Sequence, residues 1–541
     1  MDLQALLYNL LDWFQYNAKA PILFNSGQFL LFFSLFLAVY IWIFNSINWR
    51  IAWLTLFSLF FYYKSSGVYV GLLVGTILYN YVAAIYLYRM RENEAKKTRQ
   101  VAFLIISILL NLSSLLYFKY TNFFIKSWMD ISGQNFQLFD IFLPIGISFF
   151  TFQTISYIID VYKAEIKPCN NLLDFAFYLS FFPQLVAGPI VRAKDFIPQI
   201  RERIVFDRLT VGAGLFMVLK GFVKKAVIAD YVSQYADLVY GTPGGYSGFE
   251  HWMAMYAYTL QIYCDFSGYS DMAIGLALIL GFRLTDNFRS PYQSLDITEF
   301  WRRWHISLST WLRDYIYIPL GGNRGGGSGS RILIIIFMAI SVIITGYWWL
   351  IVVHLVTLIC AYVYTKGNKQ RSIQLFMFVN LLLTMLIGGW WHGADWKFVF
   401  WGFMHGAGLI VHKFFSQGTR HLRGNQLTKA LSWLLTFHFV AFLWVYFRAA
   451  SFNEASISIQ KMFSDFSWTY LQPFWEVRPL LVIMLLTGFA LHFVSLEEKK
   501  RMSNYFATMP VLGKLVLFLI AIQLSIQFYN AEVQPFIYFQ F

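Results

Sequence analysis

Charge is what this chain has least of. Asp, Glu, Lys and Arg together make up 13% of its 541 residues, where a soluble domain carries about 25%. That shortage, with 58% hydrophobic residues and a mean hydropathy of +0.54, excludes an ordinary water-soluble globule. Cysteine is nearly absent. Cys169, Cys264 and Cys360 are scattered, so neither a disulfide framework nor a thiolate metal site is available. No G-x-S-x-G nucleophile elbow occurs, and no repeat of 20–50 residues or inverted half is visible, which argues against a solenoid and against a repeat-built transporter. Residues 1–20 lack a basic start and a small-residue cleavage site. They hold Asp2, Asp12 and Lys19 among apolar residues and are expected to form an interfacial amphipathic helix.

What the chain has is apolar runs near the roughly 20 residues that span a bilayer. Clear candidates are 27–45, 50–66, 68–88, 101–117, 331–350, 373–389, 396–412, 427–447, 479–496 and 511–529, with less regular ones in 139–161, 172–188, 209–235 and 250–282. The expectation is an all-α polytopic membrane protein of roughly 11–14 helices, some short or re-entrant. It reads as one membrane domain: plain spans over 1–138, a polar-interrupted core over 139–450, and further spans over 451–541.

The net charge is +14, and the basic residues cluster in short connections: Arg89 to Arg99, Lys366 to Arg371, Lys413 to Lys429, and Lys499 to Arg501. Cytoplasmic loops collect Lys and Arg, so topology alone explains them. Attraction of an anionic cytosolic substrate such as a coenzyme A thioester is compatible with the same pattern. Basic residues divided among loops do not make a nucleic-acid surface.

The core segment differs from the flanks. "LPIGISFFTFQTISYIIDVYK" (143–163), "FFPQLVAGPIVRAKDF" (181–196), "YCDFSGYSDMAIGLALILGF" (263–282) and "GGWWHGADWKFVFWGFMHG" (388–406) each set polar residues, Gly or Pro inside an apolar run. Polar backbone at membrane depth is tolerated where it is buried in protein or lines a wet cavity. "DFSG" (265–268) reads as a helix break rather than a nucleophile. "GGNRGGGSGS" (321–330) reads as a flexible turn, not a nucleotide fingerprint, because no βαβ unit surrounds it.

"FWRRWHISLSTWLRDYIYIPLGGNR" (300–324) concentrates four arginines, a histidine and an aspartate among aromatics. Asp296 and Glu299 form a capping-box-like start. Phe300, Trp304, Leu308, Trp311 and Tyr315 recur at helical spacing as an apolar face, and Arg302, His305, Ser309 and Arg313 as a polar one. Pro319, Gly321 and Gly322 end the helix. An interfacial helix meeting lipid headgroups and a helix lining a polar cavity both fit this spacing.

Nine histidines are present. His251, His412 and His421 lie near segment ends and are expected to be solvated, while His354, His438 and His492 read as core imidazoles; His405 is open. His392 stands apart among Gly388, Gly389, Gly393, Trp390, Trp391 and Trp396. Glycines allow close approach, tryptophans exclude water, and a neutral imidazole there suits a general base. Asp395 would orient it if the segment is helical. No ligand-spaced set supports a metal.

These stretches, with "FHFVAFLWVYFRA" (437–449), resemble the membrane-bound O-acyltransferase family. The run from Tyr263 to Arg324 is most similar to the bacterial branch that includes the membrane subunit of alginate O-acetylation, with relatives acting on peptidoglycan, cellulose and teichoic acid. The resemblance implies many helices around a funnel or tunnel and acyl transfer from a cytosolic donor. It implies catalytic roles for His392 and His305, both intact here. Arg302, Trp304, Ser309, Arg313, Asn323, Trp391 and Asp395 are expected to bind substrate around them. It further implies acetyl-CoA as donor substrate with no bound cofactor. An exported polysaccharide or an extracytoplasmic SGNH-type transferase would be the acceptor, and the bacterial cytoplasmic membrane the location. D-alanyl transfer from a carrier protein is the alternative within the family, and a transporter the alternative outside it.

Overall fold

In the computed structural model, which describes residues 13–17, 21–416 and 425–528, the fold is all-α, with helices joined by irregular connections and no strand among the described residues. The interfacial helix expected over 1–20 falls almost wholly outside the described residues, as does His421. By length and composition five described helical stretches can cross a bilayer: Ile47–Glu92, Lys97–Ser132, Lys369–His392, Trp396–Phe415 and Gln426–Arg448. Two sharply bent pairs near the C-terminus raise this to seven, and shorter apolar helices cover Gly27–Ile43, Ser328–Ile343 and Trp349–Thr365. The chain is a multi-pass integral membrane protein. The apolar run 331–350 ends sooner than its composition suggests. Gly346, at φ +66, turns the chain, and a separate helix, Trp349–Thr365, follows.

The centre of the fold is the 32-residue helix Gly248–Ile279. Its start is set locally: Ser247 Oγ accepts from the Glu250 amide, and the Glu250 carboxylate accepts from the Ser247 amide. This helix corrects the expected break at 265–268, since the backbone runs unbroken through "DFSG". The polar insert is a packing and charge device. Helix Arg208–Phe222 lies so close that a Cβ on Gly268 would stand 2.8 Å from the Gly221 carbonyl oxygen, and one on Gly275 2.6 Å from that of Gly214. Asp265 pairs with Lys225 at 2.5 Å, and Lys225 also holds Asp230 at 2.7 Å. Asp271 pairs with Lys220 and Lys224. Charges at depth persist when paired in this way.

The stretch 297–318 also departs from its expected form. It is not one helix: Ile297–Arg303 and Ile306–Leu312 are separated by a turn in which His305 adopts φ +42, ψ +55, followed by a π-helical turn at Arg313–Tyr317. No Gly or Pro marks the break, so periodicity could not reveal it. The turn destroys the continuous polar face. His305 is fully buried while Arg302 and Arg313 are exposed. His251 is corrected as well: it is fully buried, with Nε2 bonded to the Pro243 carbonyl.

Candidate active site

His392 is the last residue of helix Lys369–His392, and the chain then leaves helical geometry through Gly393. Asp395 accepts the Lys397 amide at 2.9 Å and starts the next helix, Trp396–Ser416. The helical relation expected between His392 and Asp395 therefore does not exist; Asp395 is an N-cap group. The two helices form a tight hairpin. A Cβ on Gly389 would come within 2.3 Å of the Phe398 carbonyl oxygen, and one on Gly402 within 2.3 Å of that of Met385. This packing fixes where His392 points.

Two side chains from the Leu116–Tyr120 π-helical turn hold the end of the histidine's helix. Lys119 Nζ donates to the carbonyls of Trp391 and His392 at 2.7 and 2.9 Å, and the Tyr120 hydroxyl donates to that of Trp390 at 2.8 Å. Sequence reasoning passed over Lys119. Its signal was a single ionisable residue inside an apolar run, which is by default a functional candidate.

The His392 ring packs against Trp391 and Trp401, each at 5.1 Å, and against Phe447 at 5.5 Å. Its centroid lies 6.4 Å from that of His305. The two histidines, 87 residues apart in sequence, thus face one another inside the protein. His405 stands next to them: its ring is 4.4 Å from Trp401, and its Nδ1 accepts from Trp301 Nε1. A small pocket of about 50 Å³ reaches His392, Trp391 and Lys119 past the 143–149 segment. A larger cavity of about 490 Å³ is lined in part by Ile306 and Ser307, the two residues after His305. Its lining carries Arg192, Arg289 and Arg313 against Asp195 and Asp286. At its edge Asp314 takes Arg192 at 2.7 Å and Arg313 at 2.6 Å. Burial would raise the Asp314 carboxyl, and the two guanidiniums outweigh it and hold it below the usual range.

The other expected substrate residues separate. Trp391 lines the small pocket and lies over Phe152, and Arg313 lines the cavity. Trp304 is buried among Phe300, Phe288 and Trp444 and acts as core. Ser309 returns its hydroxyl to the Trp304 carbonyl. Arg302 is exposed, and Asn323 sits in an exposed turn, accepting from Tyr317 and Lys413.

Residues 36–369 match the MBOAT, membrane-bound O-acyltransferase, family. The chain belongs to this family. It is a membrane-bound O-acyltransferase, and the transporter alternative falls away with that assignment. The chain is 36% identical over 429 residues to the peptidoglycan O-acetyltransferase of Helicobacter pylori, covering 74% of this chain and 72% of that protein. It is 38% identical over 453 residues to the probable alginate O-acetylase AlgI of Pseudomonas aeruginosa, covering 83% and 76%. The teichoic acid D-alanyltransferase of Bacillus subtilis is 24% identical over 315 residues, covering 57% of this chain and 70% of that protein.

Proposed function

We propose that this acyltransferase moves an acetyl group from cytosolic acetyl-CoA to an exported polysaccharide, or to an extracytoplasmic partner transferase that serves one, in the bacterial cytoplasmic membrane. The observation that carries the proposal is the pair of facing, buried histidines, with a small pocket lined by His392 and a larger cavity lined by Ile306 and Ser307, the residues after His305. The larger, arginine-bearing cavity suits the phosphates of a coenzyme A donor, since guanidinium groups bind phosphate oxygens in pairs. The smaller pocket at His392 suits the acceptor. The relatives named for peptidoglycan and alginate acetylation are 36% and 38% identical, and the D-alanyltransferase at 24% makes D-alanyl transfer the weaker reading.

The chemistry follows from the arrangement. Neutral His392 takes the proton of an acceptor hydroxyl as its oxygen attacks the thioester carbonyl. The tetrahedral adduct collapses with cleavage of the C–S bond, and the imidazolium returns the proton to the departing thiolate. The ester product and free thiol balance the reactants. Tryptophan packing keeps out the water that would hydrolyse the thioester. The test is purified protein in liposomes, supplied with radiolabelled acetyl-CoA or a D-alanyl carrier and an acceptor oligosaccharide. Label passing from acetyl-CoA into acceptor ester, with a donor KM raised by Arg289→Gln, is the expected result. Transfer of D-alanine alone would refute the acetyl reading.

A further inference from the structure

The turn at His305 is clasped by a residue from a different segment, Asn287, which neither periodicity nor motif singled out. Its Oδ1 lies 3.3 Å from the Ser307 amide nitrogen, 2.9 Å from Ser307 Oγ and 3.1 Å from His305 Nδ1. Its Nδ2 donates to Ser270 Oγ at 3.1 Å, and its carbonyl accepts from the Ile306 amide at 2.9 Å. A main-chain N–H can donate and cannot accept, so the atom facing Ser307 is the amide oxygen and not the amide nitrogen. The Ser307 hydroxyl accepts from the Ile190 amide at 3.0 Å and turns its own hydrogen to Oδ1. An oxygen with lone pairs alone can bond to an imidazole nitrogen when that nitrogen carries the hydrogen. Nδ1 of His305 is therefore the protonated nitrogen, and in the neutral ring Nε2 bears the lone pair.

The same clasp accounts for the backbone. A non-glycine residue at φ +42 is strained and persists where its surroundings over-determine it. Here the main chain of Ile306 and Ser307 is bonded to the main chain and side chain of one asparagine.

We propose that Asn287 is a positioning residue for acyl transfer: it fixes His305 as the Nδ1–H tautomer, so that Nε2 is offered to substrate as a hydrogen-bond acceptor. His305 in this form can receive an N–H or O–H of a substrate group that reaches the histidine pair; the cavity itself is lined by its chain neighbours Ile306 and Ser307. His305 cannot donate to a developing oxyanion, and proton abstraction is left to His392. The proposal rests on the reading of the histidine pair as the reacting centre. Around His305 stand the rings of Phe266, Phe288 and Trp391, and the titratable His392 faces it.

The direct test is the 15N spectrum of histidine-labelled full-length protein in detergent, with His305 assigned by its loss in His305→Gln. The expected spectrum has a protonated Nδ1 and a bare Nε2, and a protonated Nε2 overturns the proposal without recourse to any variant at 287. Asn287→Ala is expected to lower kcat/KM roughly tenfold, the size of one lost hydrogen bond. Asn287→Asp keeps the acceptor atom and adds a charge that favours the imidazolium. Its acid limb should then move to higher pH, because a protonated His305 has no lone pair to offer. A purely structural asparagine would leave that limb in place. Wild-type kcat/KM in Asn287→Ala together with an unshifted limb in Asn287→Asp overturns the proposal. Full activity in both His305→Ala and His392→Ala would instead overturn the reading of the site, whatever the spectrum shows.

Discussion

Gly402→Ala tests whether the hairpin that carries His392 is held by backbone contact. The added methyl would lie 2.3 Å from the Met385 carbonyl oxygen and 3.0 Å from the Gly389 Cα, both backbone atoms of the histidine's own helix. Ordinary contact begins near 3.4 Å, so the helices must part by about 1 Å, a strain in the range of about 1–3 kcal/mol for overpacking. Because His392 ends one of these helices, the displacement reaches the site. A misplacement of about 1 Å at a reacting group costs on the order of a hundredfold in rate. Thermal unfolding in detergent measures the first quantity, and acetyl transfer by the fraction that remains folded measures the second. Gly75→Ala is the control: its Cβ would meet nothing within 4 Å, and Ala in a helix interior is about 0.5–1 kcal/mol better than Gly. Wild-type stability and turnover in Gly402→Ala would refute the argument.

Three further outcomes are expected. Lys119→Met removes two hydrogen bonds to the Trp391 and His392 carbonyls, at about 0.5–1.5 kcal/mol each; a lowered melting temperature with lost activity is the reading, and an unchanged melting temperature contradicts it. Asn111→Leu breaks the reciprocal amide pair with Asn80 at 2.8 and 2.9 Å. It should cost roughly 0.6–2 kcal/mol, as buried interhelical bonds do. The double variant Asn80→Leu with Asn111→Leu should regain part of the loss, because no buried amide is then left without its partner; a double variant worse than the sum of the two single ones contradicts the pairing.

Much of the fold follows from apolar run length, because in lipid the helix is the one local solution to backbone hydrogen bonding for such a run. The Ser247 capping box and the Asp296 N-cap are likewise local, and both are in place. Non-local determinants were not readable. The left-handed turn at His305 depends on Asn287, 18 residues earlier, and no local residue type announces it. The unbroken helix through "DFSG" depends on glycines of another helix and on Lys225. Within the site, His392 stood out by its glycine and tryptophan setting, and His305 through family resemblance. Their meeting at 6.4 Å is a tertiary fact. The polar face assigned to Arg302, Ser309 and Arg313 failed as one surface because it assumed one continuous helix.

The central claim is that the facing histidines carry the acyl transfer. It is met most directly by comparing His392→Gln, His305→Gln and the double variant with wild type in reconstituted acetyl transfer, with folding checked by thermal unfolding. Loss of a general base should lower kcat in His392→Gln by about 10²–10⁴-fold, and the double variant should be scarcely worse, because residues that act as a unit are not additive. Folded His392→Gln protein that transfers acetyl at the wild-type rate would contradict the account.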